Sequence, residues 1–101
     1  MKKTPAAPPL KRGRPLGSTS FEAAPAKAFG TVVRATREAE GIAQEELALL
    51  AAIERAHLGR IERGERLPSL ALILKIARAL NRTAGELVLE TEALLAANGR
   101  T

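Results

Sequence analysis

The apolar residues of this chain recur at three- and four-residue spacing, in short runs that each stop at a residue favouring a helix end or a turn: Gly41, Gly64, Pro68 and Asn81. That period belongs to the α-helix, and no stretch shows the alternating apolar and polar residues of a strand. A chain punctuated in this way folds as several short helices around a shared core. The first run starts at Pro25, with Phe29, Val32 or Val33, Thr36 and Ala39 on one face, and ends at Gly41. The second spans Gln44 to about Ala51. It has an apolar stripe of Leu47, Ala48 and Ala51, and Glu45 and Glu46 in the first turn complement the helix dipole. The third, from about Glu54 to Arg63, is expected to bury Leu58 and Ile61. Pro68 and Ser69 open a fourth, in which Leu70, Ile73, Leu74, Ala77 and Leu80 are expected to form the buried face. Thr83 and Glu86 have the spacing of a capping box, predicting a fifth short helix that carries Leu87, with Leu89, Leu94 and Leu95 continuing it toward Asn98 and Gly99.

The fold expected from this pattern is all-α, five helices in one small domain. The chain has 101 residues and 46% hydrophobic content, enough for a modest core if a polar tail stays outside it. Residues 1–24 read as that tail, a disordered, proline-rich basic arm containing Pro5, Pro8, Pro9 and Pro15, with Pro25 at its edge. Residues 25–90 read as the domain, and residues 91–101 as a C-terminal helical extension and tail.

The formal charge of +5 resides in the first 20 residues, which hold Lys2, Lys3, Lys11, Arg12 and Arg14 and no acid. The remaining 81 residues carry 11 basic and 11 acidic side chains, so any attraction of the domain to phosphate must come from local clustering. Within the arm, Lys11-Arg12-Gly13-Arg14-Pro15 resembles an AT-hook core. Such a core lays two arginines along the narrow minor groove, with glycine permitting close approach. A non-specific phosphate-binding arm is the alternative use of the same charges. The chain has no cysteine and one histidine, so a zinc site or a thiolate nucleophile is not expected, nor is any cofactor. No apolar run approaches a membrane span, and a cytoplasmic protein is expected, nucleoid-associated if bacterial.

The third helix carries the chemistry. With Leu58 and Ile61 turned inward, the helical period gathers Arg55, Ala56, Gly59 and Arg60 on the opposite face. A helix that is only solvated gains nothing from placing guanidinium groups around two very small residues. A helix that approaches base edges closely does. Arginine can donate two parallel hydrogen bonds to guanine O6 and N7, and alanine can touch a thymine methyl group.

Residues from about 28 to 88 resemble the helix-turn-helix domain of the phage lambda repressor and Cro (XRE-like) family. The likeness is carried by Phe29-Gly30, Arg37, Gly41-Ile42, Gln44-Glu45-Glu46-Leu47-Ala48, Ile53, Leu58, Arg60-Ile61-Glu62-Arg63-Gly64, Pro68-Ser69-Leu70, Ile76-Ala77 and Ala79-Leu80. The resemblance implies a five-helix lambda-repressor-like DNA-binding domain. It implies that Gln44, opening the second helix, helps hold a DNA phosphate, and that Arg55, Ala56, Gly59 and Arg60 face the bases. His57, Arg63 and Arg66 would serve phosphates, although the two arginines also suit ordinary helix-end cations. Arg37 and Glu62 would form a structural ion pair between the first helix and the end of the recognition helix.

This chain departs from the family pattern at three places. Ala52 stands where glycine is usual in the turn, and Ala43 and Glu54 stand where Ser or Thr usually caps the second and third helices. Ala71 and Leu72 occupy positions the family usually exposes, and read as a self-association patch or as chance apolar surface.

The function implied is a dimeric, sequence-specific regulator of transcription that reads double-stranded DNA with a helix near residues 54–63. A restriction-modification controller is one variant of that role. The alternative is an antitoxin or accessory protein whose DNA binding only autoregulates and whose main partner is a protein, either a toxin or the transcription machinery. Phe21 and Phe29 are the only aromatics, too few for base-stacking recognition of single-stranded RNA. No residue set suits catalysis, and an enzyme is not expected.

Overall fold

The computed structural model describes residues 21–99, which form α1 (Ala23–Ala39), α2 (Gln44–Leu50), α3 (Arg55–Glu62), α4 (Leu70–Ala79) and α5 (Ala84–Asn98). Among the described residues there is no strand, and no helix is long and apolar enough to cross a membrane. The first helix begins two residues before Pro25, at Ala23, so the end of the expected arm is already helical. The rest of the arm, including Arg12, Arg14 and the AT-hook-like segment, lies outside the described residues.

Four helices end in the same way. The residue after each C-cap takes a left-handed backbone, with φ of 72° at Gly41, 59° at Ala52, 76° at Gly64 and 60° at Asn81. The amide of the following residue then reaches back five positions. Ile42 donates to the Arg37 carbonyl at 3.1 Å, Ile53 to Ala48 at 3.0 Å, Glu65 to Arg60 at 2.8 Å and Arg82 to Ala77 at 2.9 Å. These Schellman closures satisfy the last carbonyls of each helix and turn the chain sharply enough to stack the next helix on the core. Ala52 is the costly member of the set, because its Cβ crowds the backbone in this conformation.

The helix starts are uneven. Ser69 Oγ accepts from the Leu72 amide at 3.2 Å, and Thr83 and Glu86 form a reciprocal capping box at 3.0 Å in both directions. Ala43 and Glu54, at the starts of α2 and α3, make no side-chain cap hydrogen bond. Helices α2 and α3 are therefore held by packing more than by their own ends.

The core runs through all five helices. Val33, Leu47, Leu58, Ile61, Ile76, Leu80 and Leu87 are its largest fully enclosed side chains. On α4 the buried face differs from the one expected: Leu72, Ile76, Ala77 and Leu80 are enclosed, whereas Leu70 and Leu74 are 70% and 53% exposed. Leu72 and Ile76, four residues apart, share the inner face of the helix. Ala71 is exposed, while Leu72 belongs to the core and takes no part in a surface patch. On α1, Ala39 is also exposed, and burial ends at Thr36.

Helix α5 is unbroken from Ala84 to Asn98, so a boundary at residue 90 falls inside a helix. Its later turns belong to the domain. Thr91 is buried, with its hydroxyl donating to the Leu87 carbonyl at 2.8 Å, and Leu94 packs against the core. The most extensive helix pair is α1 with α5, followed by α1 with α3. Helix α1 thus serves as the platform on which α3 is held.

Candidate nucleic-acid interface

Helix α3 projects from the platform with Leu58 and Ile61 anchored in the core. On its outer side Gln44, Arg55, Ala56, Gly59, Arg60 and Arg63 line one shallow concavity. Six of the residues expected to contact DNA are therefore brought together. Arg55 and Ala56 are exposed and Arg60 is half-buried. The Arg60 Nε is enclosed and makes no hydrogen bond within the described residues.

Gly59, expected on the outer, base-facing side, lines the concavity but is not itself open to solvent. It is buried, and a Cβ there would lie 3.1 Å from Arg63 Nη1 and 3.7 Å from Gln44 Oε1. Its smallness makes room for neighbouring polar side chains and at the same time flattens the helix surface between the two arginines. His57 is half-buried and Arg66 is exposed in the segment after α3, and neither lines the concavity.

The base of the site is an ion-pair hub. Arg37 Nε donates to Glu62 Oε2 at 2.7 Å and its Nη2 to Oε1 at 3.0 Å, a bidentate geometry that makes good use of the planar guanidinium. The remaining Nη1 donates to the Ile42 carbonyl at 2.9 Å, tying the pair to the α1–α2 turn. The hydrogen bonding to Glu62 is the main reason the Arg37 pKa is raised above its ordinary value, against the opposing effect of burial.

Gln44 joins this hub, its Nε2 donating to Glu62 Oε1 at 3.0 Å. One amide hydrogen is thereby committed, and the second is left to reach outward. The sequence shows Gln44 opening a helix and Glu62 closing one, but only the folded geometry shows that a single carboxylate orients both Arg37 and Gln44. Arg63 is likewise engaged. Its Nε donates to Glu65 Oε2 at 2.9 Å and its Nη2 to Oε1 at 3.2 Å on the exposed surface. That contact raises the Arg63 pKa and lowers that of Glu65.

A short helix, a tight turn and a second helix whose outer face carries arginines around small residues define a helix-turn-helix. The family model described as Helix-turn-helix (HTH_3) matches residues 33–87, and the chain belongs to this family of transcriptional regulators. It is 45% identical over 62 residues to the uncharacterized HTH-type transcriptional regulator YazB of Bacillus subtilis, covering 61% of this chain and 90% of that protein. Among solved structures it is similar to the restriction-modification controller protein C.AhdI of Aeromonas hydrophila. There the identity is 44% and the TM-score 0.59, over 60% of this chain and 92% of that one. The clp gene regulator ClgR of Corynebacterium glutamicum, 24% identical with a TM-score of 0.71 over 73% of this chain and 79% of its own, shares the fold.

Proposed function

We propose that this protein is a sequence-specific DNA-binding regulator of transcription that acts as a dimer and lays α3 in the major groove. The observation that carries this reading is the α3 face itself. Arg55 and Arg60 flank Ala56 and Gly59 beside the Gln44 amide, in one concavity. Arginine forks read guanine, and small residues between them allow the helix to sit close to the base edges. A dimer would place two such helices one duplex turn, about 34 Å, apart on a two-fold operator. The exposed side chains of Leu50 and Leu74, which line one groove away from the reading face, support an association surface.

The test is selection of bound duplexes from a random pool with the full chain, with Arg55→Ala, with Arg60→Ala, and with a chain starting at Phe21. The arginine substitutions should each relax specificity at defined base pairs. Removing the basic arm should weaken binding to every sequence and flatten its salt dependence. Failure of the full chain to enrich any sequence at moderate salt would count against the reading. A restriction-modification controller is a second, narrower reading, favoured by the likeness to C.AhdI. It predicts that the selected site lies upstream of the gene for this protein and beside a methyltransferase gene.

A further inference from the structure

Glu54 stands at the head of the reading helix, where a carboxylate is out of keeping with DNA phosphates. It occupies the N-cap of α3 with an extended backbone, φ −72° and ψ 143°, and its side chain caps nothing. It is exposed, and among the described residues no hydrogen bond or ion pair engages its carboxylate. Two other glutamates close to the interface are engaged: Glu62 holds Arg37 and Gln44, and Glu65 holds Arg63. Glu54 directly precedes Arg55, at the N-terminal end of the helix. The N-terminal residues of a recognition helix are the ones that reach base edges.

An anionic group in that position meets either phosphate, which repels it, or the donors on the groove floor. The major groove offers only two kinds of donor, the N4 amino group of cytosine and the N6 amino group of adenine. Adenine also presents the N7 acceptor, which an amide side chain satisfies and a carboxylate does not. Cytosine has no such second demand. On the DNA-reading proposal above, we infer that Glu54 is a specificity-determining residue that accepts a hydrogen bond from cytosine N4 at or beside the guanine contacted by Arg55. The same carboxylate rejects sequences that offer no donor there, because it would be left desolvated and unpaired.

The experiment repeats the duplex selection with the full chain, with Glu54→Ser and with Glu54→Gln, using Arg55→Ala to mark the guanine position. Serine restores a capping side chain, so this variant should fold with a higher melting temperature. The expected result is a cytosine at or next to the marked guanine for the wild type, with a preference of about tenfold over other bases. Glu54→Ser should lose that preference, and Glu54→Gln should shift it toward adenine, whose N6 and N7 match an amide. Retention of the same cytosine by both variants, with only a uniform gain in affinity, would overturn the inference and reduce Glu54 to a source of phosphate repulsion. A wild-type site with no cytosine near the marked guanine would overturn it too, while leaving the regulator reading intact. No enriched site at all would overturn both.

Discussion

Gly30 on α1 faces the backbone of α3 so closely that a Cβ built on it would lie 2.2 Å from the Ile61 carbonyl oxygen and 2.7 Å from that of Glu62. Helices α1 and α3 therefore meet at a point where nothing larger than hydrogen fits. Helix propensity alone gives the opposite sign, since Ala in a helix interior is worth about 1 kcal/mol over Gly. Gly30→Ala is expected to destabilise the domain by about 3 kcal/mol, at the upper end of overpacking costs, because backbone oxygens cannot step aside as a flexible side chain can. Chemical denaturation of the variant checks the sign. An unchanged or raised midpoint would show that α1 and α3 can separate without penalty.

The Arg37–Glu62 pair sits in the same seam, with side-chain exposures of 11% and 3%. Arg37→Ala leaves the Glu62 carboxylate enclosed with only the Gln44 amide as partner, and should cost roughly 3 to 5 kcal/mol. Glu62→Ala should cost a similar amount, by stranding the guanidinium. Arg37→Met with Glu62→Leu replaces both charges with apolar groups of comparable size and is expected to recover most of the loss. A double-mutant cycle by denaturant titration measures this directly. If Arg37→Ala kept full stability and lost only DNA affinity, Arg37 would be a DNA contact and not part of the scaffold.

The helices and their stops were legible in the sequence because both rest on local rules. Gly41, Gly64 and Asn81 are residues that tolerate a left-handed backbone, and each occupies one. The capping box at Thr83 and Glu86 was legible for the same reason. The buried face of α4 was not. Leu70 through Leu74 offer apolar residues at nearly every position, so periodicity alone could not choose between Leu72 and Leu70 or Leu74. The choice is made by α2 and α5 packing from either side. At the site, the arginine face followed from helical period. The engagement of Gln44 by Glu62 depends on two residues 18 positions apart being folded together, and no local rule reports it.

Ala52 marks a place where the sequence works against its own fold. With φ of 59° and its methyl group exposed, it incurs the left-handed penalty without any packing in return. Ala52→Gly removes about 1 to 2 kcal/mol of strain. Part of that gain is offset by the extra freedom glycine confers on the unfolded chain, roughly 0.4 to 1 kcal/mol. A net stabilisation of about 0.5 to 1 kcal/mol should raise the melting temperature by roughly 2 to 8 °C for a domain of this size. Thermal melts of both proteins at one fixed concentration test it, since any self-association shifts the midpoint by mass action. A lower melting temperature for the glycine variant would show that the turn does not carry this strain.

Arg63 cannot serve a phosphate fully while Glu65 holds it. Its Nε and Nη2 are both committed to that carboxylate, at 2.9 Å and 3.2 Å, and the pair is exposed on both sides. Exposed pairs contribute little to stability, so breaking this one should leave the fold unchanged. Glu65→Gln removes a negative charge from the rim of the reading face and frees the guanidinium. Affinity for duplex DNA should rise, by an amount that shrinks as salt is added, and the slope of log affinity against log salt should steepen by about one unit, as for one added phosphate contact. Base preferences should not change, because a phosphate contact carries no sequence information. Titrations of one duplex at several salt concentrations, alongside a scrambled duplex, separate these effects. If Glu65→Gln bound no more tightly at low salt, Arg63 would face away from the DNA and its place among the contacts would be lost.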